Sequence, residues 1–303
     1  MTVILHVEPK TPPLSWQEFI SKAPPNSVAL DGYVFGPPEF DPKGPFANFH
    51  HHELVNRLAT RATCGQVLMA IRQGFFSTFI ETREHPLHLY VNDCDEDVCT
   101  SVFLLRHGFL AKNVHHPILN KLVFMEDAQD TCAGAYPHSP DEKMAWVFEP
   151  YRTFRLSGGA DRKNADAFRS IITDVESRIM QYVVGNAGTV EIDTSYEILD
   201  QGKGWVMVKE IGSHARTGIF ADGHQAFVSV RERPDGRWTY TIGKMAFAKL
   251  DLNLLYQAFN DMEDLVGDVD KWGGAGTIGG SPRVNGSRLT PDEIVRVLSN
   301  YLQ

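Results

Sequence analysis

The sequence is poor in the features that mark membrane-spanning, disulfide-bonded and cofactor-binding proteins. Its apolar runs fall far short of the roughly 20 residues that span a bilayer, and its four cysteines form no CxxC pair. We therefore expect free buried thiols, and neither a disulfide framework nor a structural zinc site. No GxGxxG follows a predicted strand, and neither GxxxxGK[ST] nor GxSxG occurs. Dinucleotide-binding, P-loop and serine-hydrolase interpretations are therefore without support.

The balance of charge is acidic, with 38 Asp and Glu against 29 Lys and Arg and a net charge of −9. This charge argues against binding to long duplex nucleic acid or to an anionic membrane surface, although a small basic pocket for one phosphate group is compatible with it. The N-terminal stretch MTVILHVEPK lacks the basic start and the apolar run of a signal peptide. These features predict a soluble cytoplasmic protein.

Strand and helix patterns alternate in the first half of the chain. Apolar stretches and helical periodicity predict strands and helices in turn at 26–31, 53–76, 87–92, 98–107 and 117–130. The stretch 32–47 holds three glycines and four prolines and is predicted to be a loop. Such alternation favours an α/β fold with a mostly parallel sheet and flanking helices.

A change of composition near residue 156 predicts a second domain. Glycine, serine and charged residues at 156–163 precede a long amphipathic helix at 164–184. Strand patterns follow, including a hairpin around Pro234-Asp235-Gly236. We therefore expect an α/β domain, a linker helix and a smaller α+β domain, at 1–155, 156–187 and 188–303.

Three aspartates, Asp93, Asp95 and Asp97, follow the strand predicted at 87–92 and precede an apolar helix. Open α/β sheets bind ligands at the carboxyl ends of their strands. Alternate residues of an extended segment project to the same side, so Asp95 and Asp97 are expected to converge. Carboxylates this close repel each other unless a cation lies among them or one is protonated. The alternative interpretation is a helix cap, in which a carboxylate binds first-turn amides.

Three consecutive histidines in the segment NFHHHE, residues 48–53, form a second polar cluster. Histidine is a common metal ligand near neutral pH, and Asp31 stands at the end of another predicted strand. The combined set has the ligand chemistry of a two-metal phosphoester site: Asp31, His51, His52, Asp95 and Asp97. Oxygen ligands suit Mg²⁺ or Mn²⁺, and added imidazole shifts the preference toward Mn²⁺, Fe²⁺ or Co²⁺.

These motifs resemble those of the DHH phosphoesterases, a superfamily that includes oligoribonucleases, cyclic-dinucleotide phosphodiesterases and family II pyrophosphatases. The segment Phe49-His50-His51-His52 is similar to the family's Phe-Asp-His-His, and NDCDEDVCTS is similar to its Asn-Pro-Asp-Gly-Asp-Ala-x-Gly-Ser. The sequence departs from the pattern at His50, where the family has aspartate, and at Val91, where it has histidine. The two motifs also occur in reverse order, as in a permuted domain.

The resemblance implies roles for individual residues of the first domain. Asp31 corresponds to the family's metal-bridging aspartate. Asp130-Thr131 resembles a further family motif, and Asp127 is the alternative aspartate for that motif. The implied metal ligands are Asp31, His51, Asp95, Asp97 and Asp130. His52 would contact the scissile phosphate or assist proton transfer.

The glycine-rich segment 272–287 loosely resembles the family's Gly-Gly-Gly-His substrate segment, with Arg283 present and the histidine absent. A glycine-rich backbone lets N–H groups approach a phosphate, and an arginine can hold two phosphate oxygens. The resemblance implies that the remote part of the substrate is bound by Gly279, Gly280, Ser281, Arg283 and Lys244. The alternative is a plain loop that closes a sheet.

We therefore predict a metal-dependent phosphoesterase that holds one or two Mn²⁺ or Mg²⁺ ions. It would hydrolyse a small phosphorylated substrate, such as a short oligonucleotide or a dinucleotide, in the cleft between its domains. A homodimer is compatible with the sequence. The altered motifs motivate an alternative, a chain that keeps the DHH fold but has lost catalysis and acts as a nucleotide-binding or scaffold protein. A metal-binding protein without phosphate chemistry is a third hypothesis.

Overall fold

The computed structural model describes residues 2–80, 84–135, 141–265, 267 and 270–301. The chain divides into two compact units of mixed α/β structure, and each unit has its own hydrophobic core. Unit 1 consists of Met1–Thr131, Pro140–Arg155 and Arg162–Val190. Unit 2 consists of Cys132–Ser139, Leu156–Asp161 and Glu191–Gln303.

Unit 1 contains a five-stranded mixed sheet among its described residues. Its strands are β1 (Val3–Val7), β2 (Ser27–Leu30), β3 (Glu39–Asp41), β4 (Phe46–Phe49) and β5 (Leu87–Val91). Their order across the sheet is β1-β5-β2-β4-β3. The pairs β1–β5, β5–β2 and β2–β4 are parallel, and β3 is antiparallel to β4. The carboxyl ends of β2, β4 and β5 therefore lie at one edge of the sheet.

The helices of this part of the chain are α1 (Trp16–Lys22), α2 (Thr63–Arg72), α3 (Phe75–Thr78), α4 (Glu96–Arg106), α5 (Gly108–Ala111), α6 (Pro117–Thr131), α7 (Glu142–Leu156) and α8 (Ala165–Val183). Side chains of β2, β5, α2, α4 and α8 share one apolar core. Helix α8 falls within the predicted linker helix, yet Phe168, Ile172 and Val175 are fully buried in this core. It is thus a packed element of unit 1.

The helix predicted at 53–76 starts only at Thr63. Residues 50–62 are non-helical, and Leu54 has a left-handed backbone with a φ of 58°. Leu54 and Leu58, which were expected on the buried face, are exposed. Polar side chains of this segment bind aspartates that are distant in sequence, and these tertiary contacts outweigh the local helical pattern.

Sequence patterns do not indicate every element of unit 1. The loop predicted at 32–47 contains β3 and the start of β4, and its glycines and prolines hide both short strands. Helix α7 carries Pro150 in its interior, where proline usually breaks a helix. Packing against the apolar core compensates, because Met144, Val147 and Phe148 of α7 are buried there.

Unit 2 is built on a six-stranded mixed sheet. Its elements are β6 (Tyr196–Gly202), β7 (Trp205–Glu210), α9 (Ala215–Ala221), β8 (Ala226–Glu232), β9 (Trp238–Lys244), α10 (Leu252–Glu263), β10 (Gly273–Gly274), β11 (Ile278–Gly280) and α11 (Pro291–Tyr301). The strand order is β10-β11-β9-β8-β7-β6, and all pairs except the parallel β7–β8 are antiparallel. The predicted hairpin at 234–236 is present between β8 and β9. None of the helices described in either unit is both long and apolar enough to cross a membrane.

Candidate metal centre

The ends of three neighbouring strands carry most of the site residues predicted in unit 1. Asp31 follows β2, the histidines at 50–52 follow β4, and residues 92–95 lead from β5 into α4. Because β2 pairs in parallel with both β4 and β5, these segments emerge at the same edge of the sheet. Helix α6 reaches this edge as well and brings Asp130 into contact with His51.

Asp31 has a strained backbone at the end of β2. Its φ of 46° lies in the left-handed region, which aspartate tolerates better than most residues. Its backbone N–H donates to Phe49 O at 2.9 Å, which joins the ends of β2 and β4. Its buried carboxylate accepts hydrogen bonds at Oδ1 from Thr63 Oγ1 at 3.0 Å and from His52 Nε2 at 2.9 Å. Strain of this kind is common at functional sites.

His51 is fully buried and faces three carboxylates. Its Nε2 lies 2.7 Å from Asp130 Oδ2, 3.6 Å from Asp31 Oδ1 and 3.6 Å from Asp97 Oδ2. Among the described residues, both ring nitrogens of His51 and the Oδ2 of Asp130 are buried without a hydrogen-bond partner. Buried polar atoms without a partner are rare in native proteins and ask for an explanation.

The atoms around His51 fit a divalent cation. Ligand atoms at right angles on an ion, each at ~2.1 Å from it, lie about 3 Å from one another, which is the scale of the contacts made by His51 Nε2. Asp31, His51 and Asp97 can each offer one ligand atom within 4.8 Å of the others. Carboxylate oxygens with one imidazole nitrogen suit Mn²⁺, Fe²⁺ or Mg²⁺ better than the thiophilic metals. We call the residues Asp31, His51, Asp97 and Asp130 the His51 cluster.

The carboxylates near His51 carry opposite pKa shifts. Burial, followed by the negative charges of Asp31 and Asp130, raises the pKa of Asp97 to about 7, although His51 acts in the opposite direction. Burial, followed by the charges of Asp31 and Asp93, also holds the pKa of Asp95 well above its usual value. These shifts express the free-energy cost of several anions in one buried place. A bound cation would remove that cost.

Asp31 and Asp130 are stabilised as anions. Burial raises the pKa of each, but for Asp31 the close contact with the His52 ring outweighs burial and holds the pKa well below its usual value. For Asp130 the guanidinium of Arg57 and the imidazole of His51 have the same effect on the pKa. The pKa of His51 is raised because Asp130 outweighs the effect of burial. The centre therefore contains permanent carboxylates beside others that are readily protonated.

The start of α2 holds two of these carboxylates. Ala62, at the N-cap, has no side-chain acceptor for the first amides of the helix. Asp97 fills this role, since Thr63 N–H donates to its Oδ2 at 2.7 Å and Cys64 N–H donates to its Oδ1 at 2.6 Å. Thr63 also donates its hydroxyl to Asp31. One residue at a helix N-terminus thus orients two predicted metal ligands.

Asp127 lies at the same helix start but outside the His51 cluster. Its Oδ1 accepts the N–H of Ala62 at 2.6 Å, and its Oδ2 accepts from Arg61 at 2.9 Å. An added Cβ at Gly65 would come within 2.7 Å of the carboxylate, so the glycine allows this close approach. Its contacts are those of a helix cap.

His52 is oriented from both sides. Its Nε2 contacts Asp31 Oδ1, and Arg57 Nη1 lies 2.7 Å from its Nδ1. Arg57 is itself buried and binds Asp130 through Oδ1 at 2.9 Å and through the backbone carbonyl at 2.7 Å. Burial lowers the pKa of His52 to about 4, although Asp31 acts in the opposite direction. His52 is therefore a neutral imidazole at physiological pH.

A second group of candidate ligand atoms shares Asp31 with the first. Asp31, His50 and His52 can each place one atom within 4.8 Å of the others. His50 is fully buried, its Nε2 contacts the carboxylate of Glu53, and its Nδ1 has no hydrogen-bond partner in the described part of the chain. The two groups would share Asp31 as a bridge.

Asp95 has the local structure of a helix cap. It is the N-cap residue of α4, and its Oδ1 accepts the N–H of Val98 at 2.9 Å. Asp97 lies in the first turn of α4, so the two aspartates do not alternate along an extended segment as predicted. Of the two, only Asp97 places a ligand atom within 4.8 Å of both Asp31 and His51 in the described part of the chain. Val91, where the family has histidine, is fully buried in the apolar core.

The glycine-rich segment of unit 2 is part of the sheet. Gly279 and Gly280 belong to β11, which pairs with β9. A Cβ at Gly279 would come within 2.2 Å of Tyr256 Oη, and one at Gly280 within 2.1 Å of Tyr240 O. Close packing is thus sufficient to explain both glycines.

The other residues predicted to bind substrate also have defined places in unit 2. Ser281 N–H donates to Tyr240 O at 3.1 Å, and Ser281 Oγ accepts the N–H of Tyr240 at 3.0 Å. Lys244, at the end of β9, donates from Nζ to the carbonyl of Ala248 at 3.0 Å. Arg283 lies on an exposed turn between β11 and α11. Their role in substrate binding stays a prediction.

Sequence reasoning did not identify Arg57 or Thr63. Arg57 follows the histidines closely, and a basic residue beside a run of ligands was an available signal. Thr63 had no such signal, because its partners Asp31 and Asp97 are 32 and 34 positions away. Only the folded chain brings them together.

Comparison of the chain with models of known protein families, with curated proteins and with solved structures finds no match.

Proposed function

We propose that this chain is a metal-dependent phosphoesterase whose divalent ion is held by the His51 cluster. The observation that carries the proposal is the buried Nε2 of His51, which faces three carboxylate oxygens without a hydrogen bond. A cluster built only to cap helices has no need of an imidazole at its centre. The donor set supports Mn²⁺, with Mg²⁺ as the second choice.

Hydrolysis of a phosphoester adds the oxygen of water to phosphorus, breaks the phosphorus–oxygen bond to the leaving group and delivers a proton to that leaving oxygen. The ion supplies Lewis acidity, which makes water nucleophilic near neutral pH and neutralises charge on the phosphoryl oxygens. The protein's own residues hold and orient these parts. His52, as the only partly exposed member of the histidine run, would contact the phosphate.

The proposal includes a DHH-like fold for unit 1 and a small phosphorylated substrate, such as a short oligonucleotide or a dinucleotide, in the cytoplasm. The parallel pairing of β1, β5, β2 and β4 supports the fold. The placement of Asp31, His51 and Asp97 around one point, with Asp130 in contact with His51, supports the activity. The net charge of −9 supports small substrates over long duplexes.

A second candidate function has an observation in its favour. Val91 is buried among apolar side chains, and Asp95 caps α4, so the ligands implied for another ion are reduced. A chain with one weak ion would bind nucleotides without turning them over. This hypothesis predicts phosphate or nucleotide binding without hydrolysis.

Metal analysis and a hydrolysis assay together test the proposal. Tag-free protein is analysed for bound metals and then assayed with Mn²⁺ on bis(p-nitrophenyl) phosphate, a small dinucleotide and pyrophosphate. The variant is Asp97→Asn, and the matched control is Asp251→Asn at the N-cap of α10, where asparagine also caps well. We expect bound Mn and Mn²⁺-dependent turnover in wild type and control, and a loss of at least about 100-fold in Asp97→Asn.

Two results would contradict the phosphoesterase. Wild-type protein that binds Mn²⁺ and nucleotide but hydrolyses none of the three substrates is the nucleotide-binding alternative. The second result is a folded wild type that binds no metal and whose properties do not change in Asp97→Asn. The aspartates would then act only as helix caps.

A further inference from the structure

The contact between Arg57 and His52 determines which ring nitrogen of His52 carries the proton. Arg57 Nη1 lies 2.7 Å from His52 Nδ1. A guanidinium has five N–H donors, no acceptor, and does not lose its proton in proteins. The hydrogen bond therefore forms only when Nδ1 offers a lone pair, that is, when Nδ1 is unprotonated.

The other nitrogen of the ring must then be the donor. His52 Nε2 lies 2.9 Å from Asp31 Oδ1, and an ionised carboxylate only accepts hydrogen bonds. A proton on Nε2 satisfies both neighbours of the ring, with Arg57 donating to Nδ1 and Nε2–H donating to Asp31. The reverse tautomer would place two donors face to face at Nδ1 and two acceptors face to face at Nε2.

Arg57 is well placed to fix this arrangement. It is 5% exposed, and its second terminal nitrogen binds Asp130 through both the carboxylate and the backbone carbonyl. The end of α6 thus anchors the guanidinium, and the guanidinium anchors the imidazole. Asp130 belongs to the His51 cluster, so the same arginine links that cluster to His52.

We infer that Arg57 is a positioning residue that fixes His52 as a neutral Nε2–H donor, so that His52 is not a metal ligand. This inference rests on the proposed function for its chemical meaning. A protonated Nε2 has no lone pair for an ion, and a ligand histidine normally donates its other N–H to an acceptor, whereas Nδ1 here faces a guanidinium.

Two consequences follow for the site. The group formed by Asp31, His50 and His52 loses one of its three ligand atoms, so the His51 cluster is the better place for an ion. His52 instead presents an N–H at the metal centre, where it donates to Asp31 in the substrate-free protein. A phosphoryl oxygen is the acceptor that this N–H suits when substrate binds.

The decisive measurement is made on the metal-free wild type. Long-range ¹H–¹⁵N correlation spectra of protein labelled at histidine separate pyridine-like from pyrrole-like ring nitrogens, and a His52→Gln variant assigns the His52 signals by their loss. We expect a pyridine-like Nδ1 and a pyrrole-like Nε2 at pH 7.5. A protonated Nδ1, whether in the other tautomer or in an imidazolium, would overturn the inference.

Addition of Zn²⁺, a diamagnetic ion that binds imidazole and carboxylate, separates the inference from the proposed function. We expect the His51 ring signals to shift while His52 Nε2 remains pyrrole-like. Loss of the proton from His52 Nε2 on Zn²⁺ binding would overturn the inference. If Zn²⁺ changes no histidine signal while His52 keeps its Nε2 proton, the proposed metal centre fails and the assignment of Arg57 stands.

Variants of Arg57 test its role directly. In Arg57→Leu the donor to Nδ1 is lost, and we expect the two tautomers of His52 to be mixed. In Arg57→Lys a cationic donor is kept, and we expect the Nε2–H tautomer to be retained or partly restored. An unchanged His52 tautomer in folded Arg57→Leu would overturn the role of Arg57. If Arg57→Leu does not fold, the spectra of wild type and Arg57→Lys decide.

Discussion

Two buried carboxylate clusters, one in each unit, are built on opposite principles. In unit 2, Glu263 accepts hydrogen bonds from Trp272 Nε1 at 2.6 Å, from Ser287 Oγ at 2.7 Å and from Arg288 N–H at 2.7 Å. Both of its carboxylate oxygens thus have donors from the protein. In the His51 cluster, both ring nitrogens of His51 and the Oδ2 of Asp130 have no hydrogen-bond partner among the described residues, although the carboxylates of Asp31 and Asp97 accept hydrogen bonds.

The contrast separates a structural role from a binding role. The Glu263 network lies at the end of α10 and ties the glycine-rich segment to it, together with Asn260, which bonds the backbone of Trp272 on both sides. Its polar groups are matched, so it stabilises the fold as it stands. In the His51 cluster these atoms are not matched, and under the proposed function the missing partner is a cation. Burial and acidic residues are common to both clusters, so only the match between donors and acceptors distinguishes them.

The largest expected effect is on the stability that the Glu263 network gives to unit 2. Glu263→Ala removes the acceptor of two buried donors and of the part-buried Arg288 N–H, and should lower the free energy of unfolding of unit 2 by about 3–5 kcal/mol. Urea denaturation followed by tryptophan fluorescence measures it, since Trp272 is a reporter within the network. The control is Asp261→Ala, an exposed aspartate on the same helix. Addition of Mn²⁺ should not restore the loss, and a rescue by metal would mean that the network is a second ion site.

A smaller effect is expected at the His51 cluster, in the way that the free energy of unfolding depends on pH. The pKa of Asp97 is raised to about 7 in the folded protein, while in the unfolded chain it has the ordinary value of about 4. Between these values the folded state binds more protons, so the contribution of Asp97 to stability falls as pH rises. Asp97→Asn lacks this contribution. Without metal, the stability of the variant relative to wild type should rise by about 2 kcal/mol from pH 5 to pH 8.

His52 also contributes to the pH dependence, because its lowered pKa makes stability rise with pH below about 6.5. This contribution is the same in wild type and in Asp97→Asn, so the difference between the two proteins reports Asp97 alone. Chemical denaturation at several pH values gives the difference directly. Saturating Mn²⁺ should remove the trend, because an ion keeps Asp97 deprotonated. If the difference in stability between wild type and Asp97→Asn does not change with pH, Asp97 is ionised without a cation. The His51 cluster would then not need an ion.

The smallest effect concerns Thr63, which orients Asp31 with its hydroxyl and Asp97 with its backbone N–H. Thr63→Val keeps the shape and the N–H but removes the hydroxyl, and should weaken Mn²⁺ binding about 10-fold and lower stability by about 1–2 kcal/mol. Thr63→Ser keeps the hydroxyl and should bind Mn²⁺ nearly as wild type. Isothermal titration calorimetry compares the three proteins. Equal Mn²⁺ affinity in the valine variant would place the ion away from Asp31.

Part of the site could be predicted from local patterns. Asp31 and the aspartates at 93–97 stand next to segments whose apolar character marks buried strands, and parallel strands place their carboxyl ends together. The strand before the histidine run was not indicated by such a pattern. The helix at 53–76 was wrong in its first ten positions for the opposite reason. There the apolar spacing of Leu54 and Leu58 suggested a buried face, while Arg57 between them binds Asp130 across the fold. His52, just before them, binds Asp31.

The sequence by itself determined that Asp31 and the aspartates at 93–97 stand at strand ends, because the change from an apolar segment to acidic side chains is local information. It also determined the hairpin between β8 and β9, through the turn residues at 234–236. Only the tertiary structure decided that Asp97, in the first turn of α4, accepts hydrogen bonds from the first amides of α2. The same is true of the contact between Arg57 and His52 and of the packing of the glycines at 279 and 280 within the sheet. These contacts join residues far apart in the chain, and their free energy depends on burial and on the pairing of donors with acceptors, which exist only in the folded state.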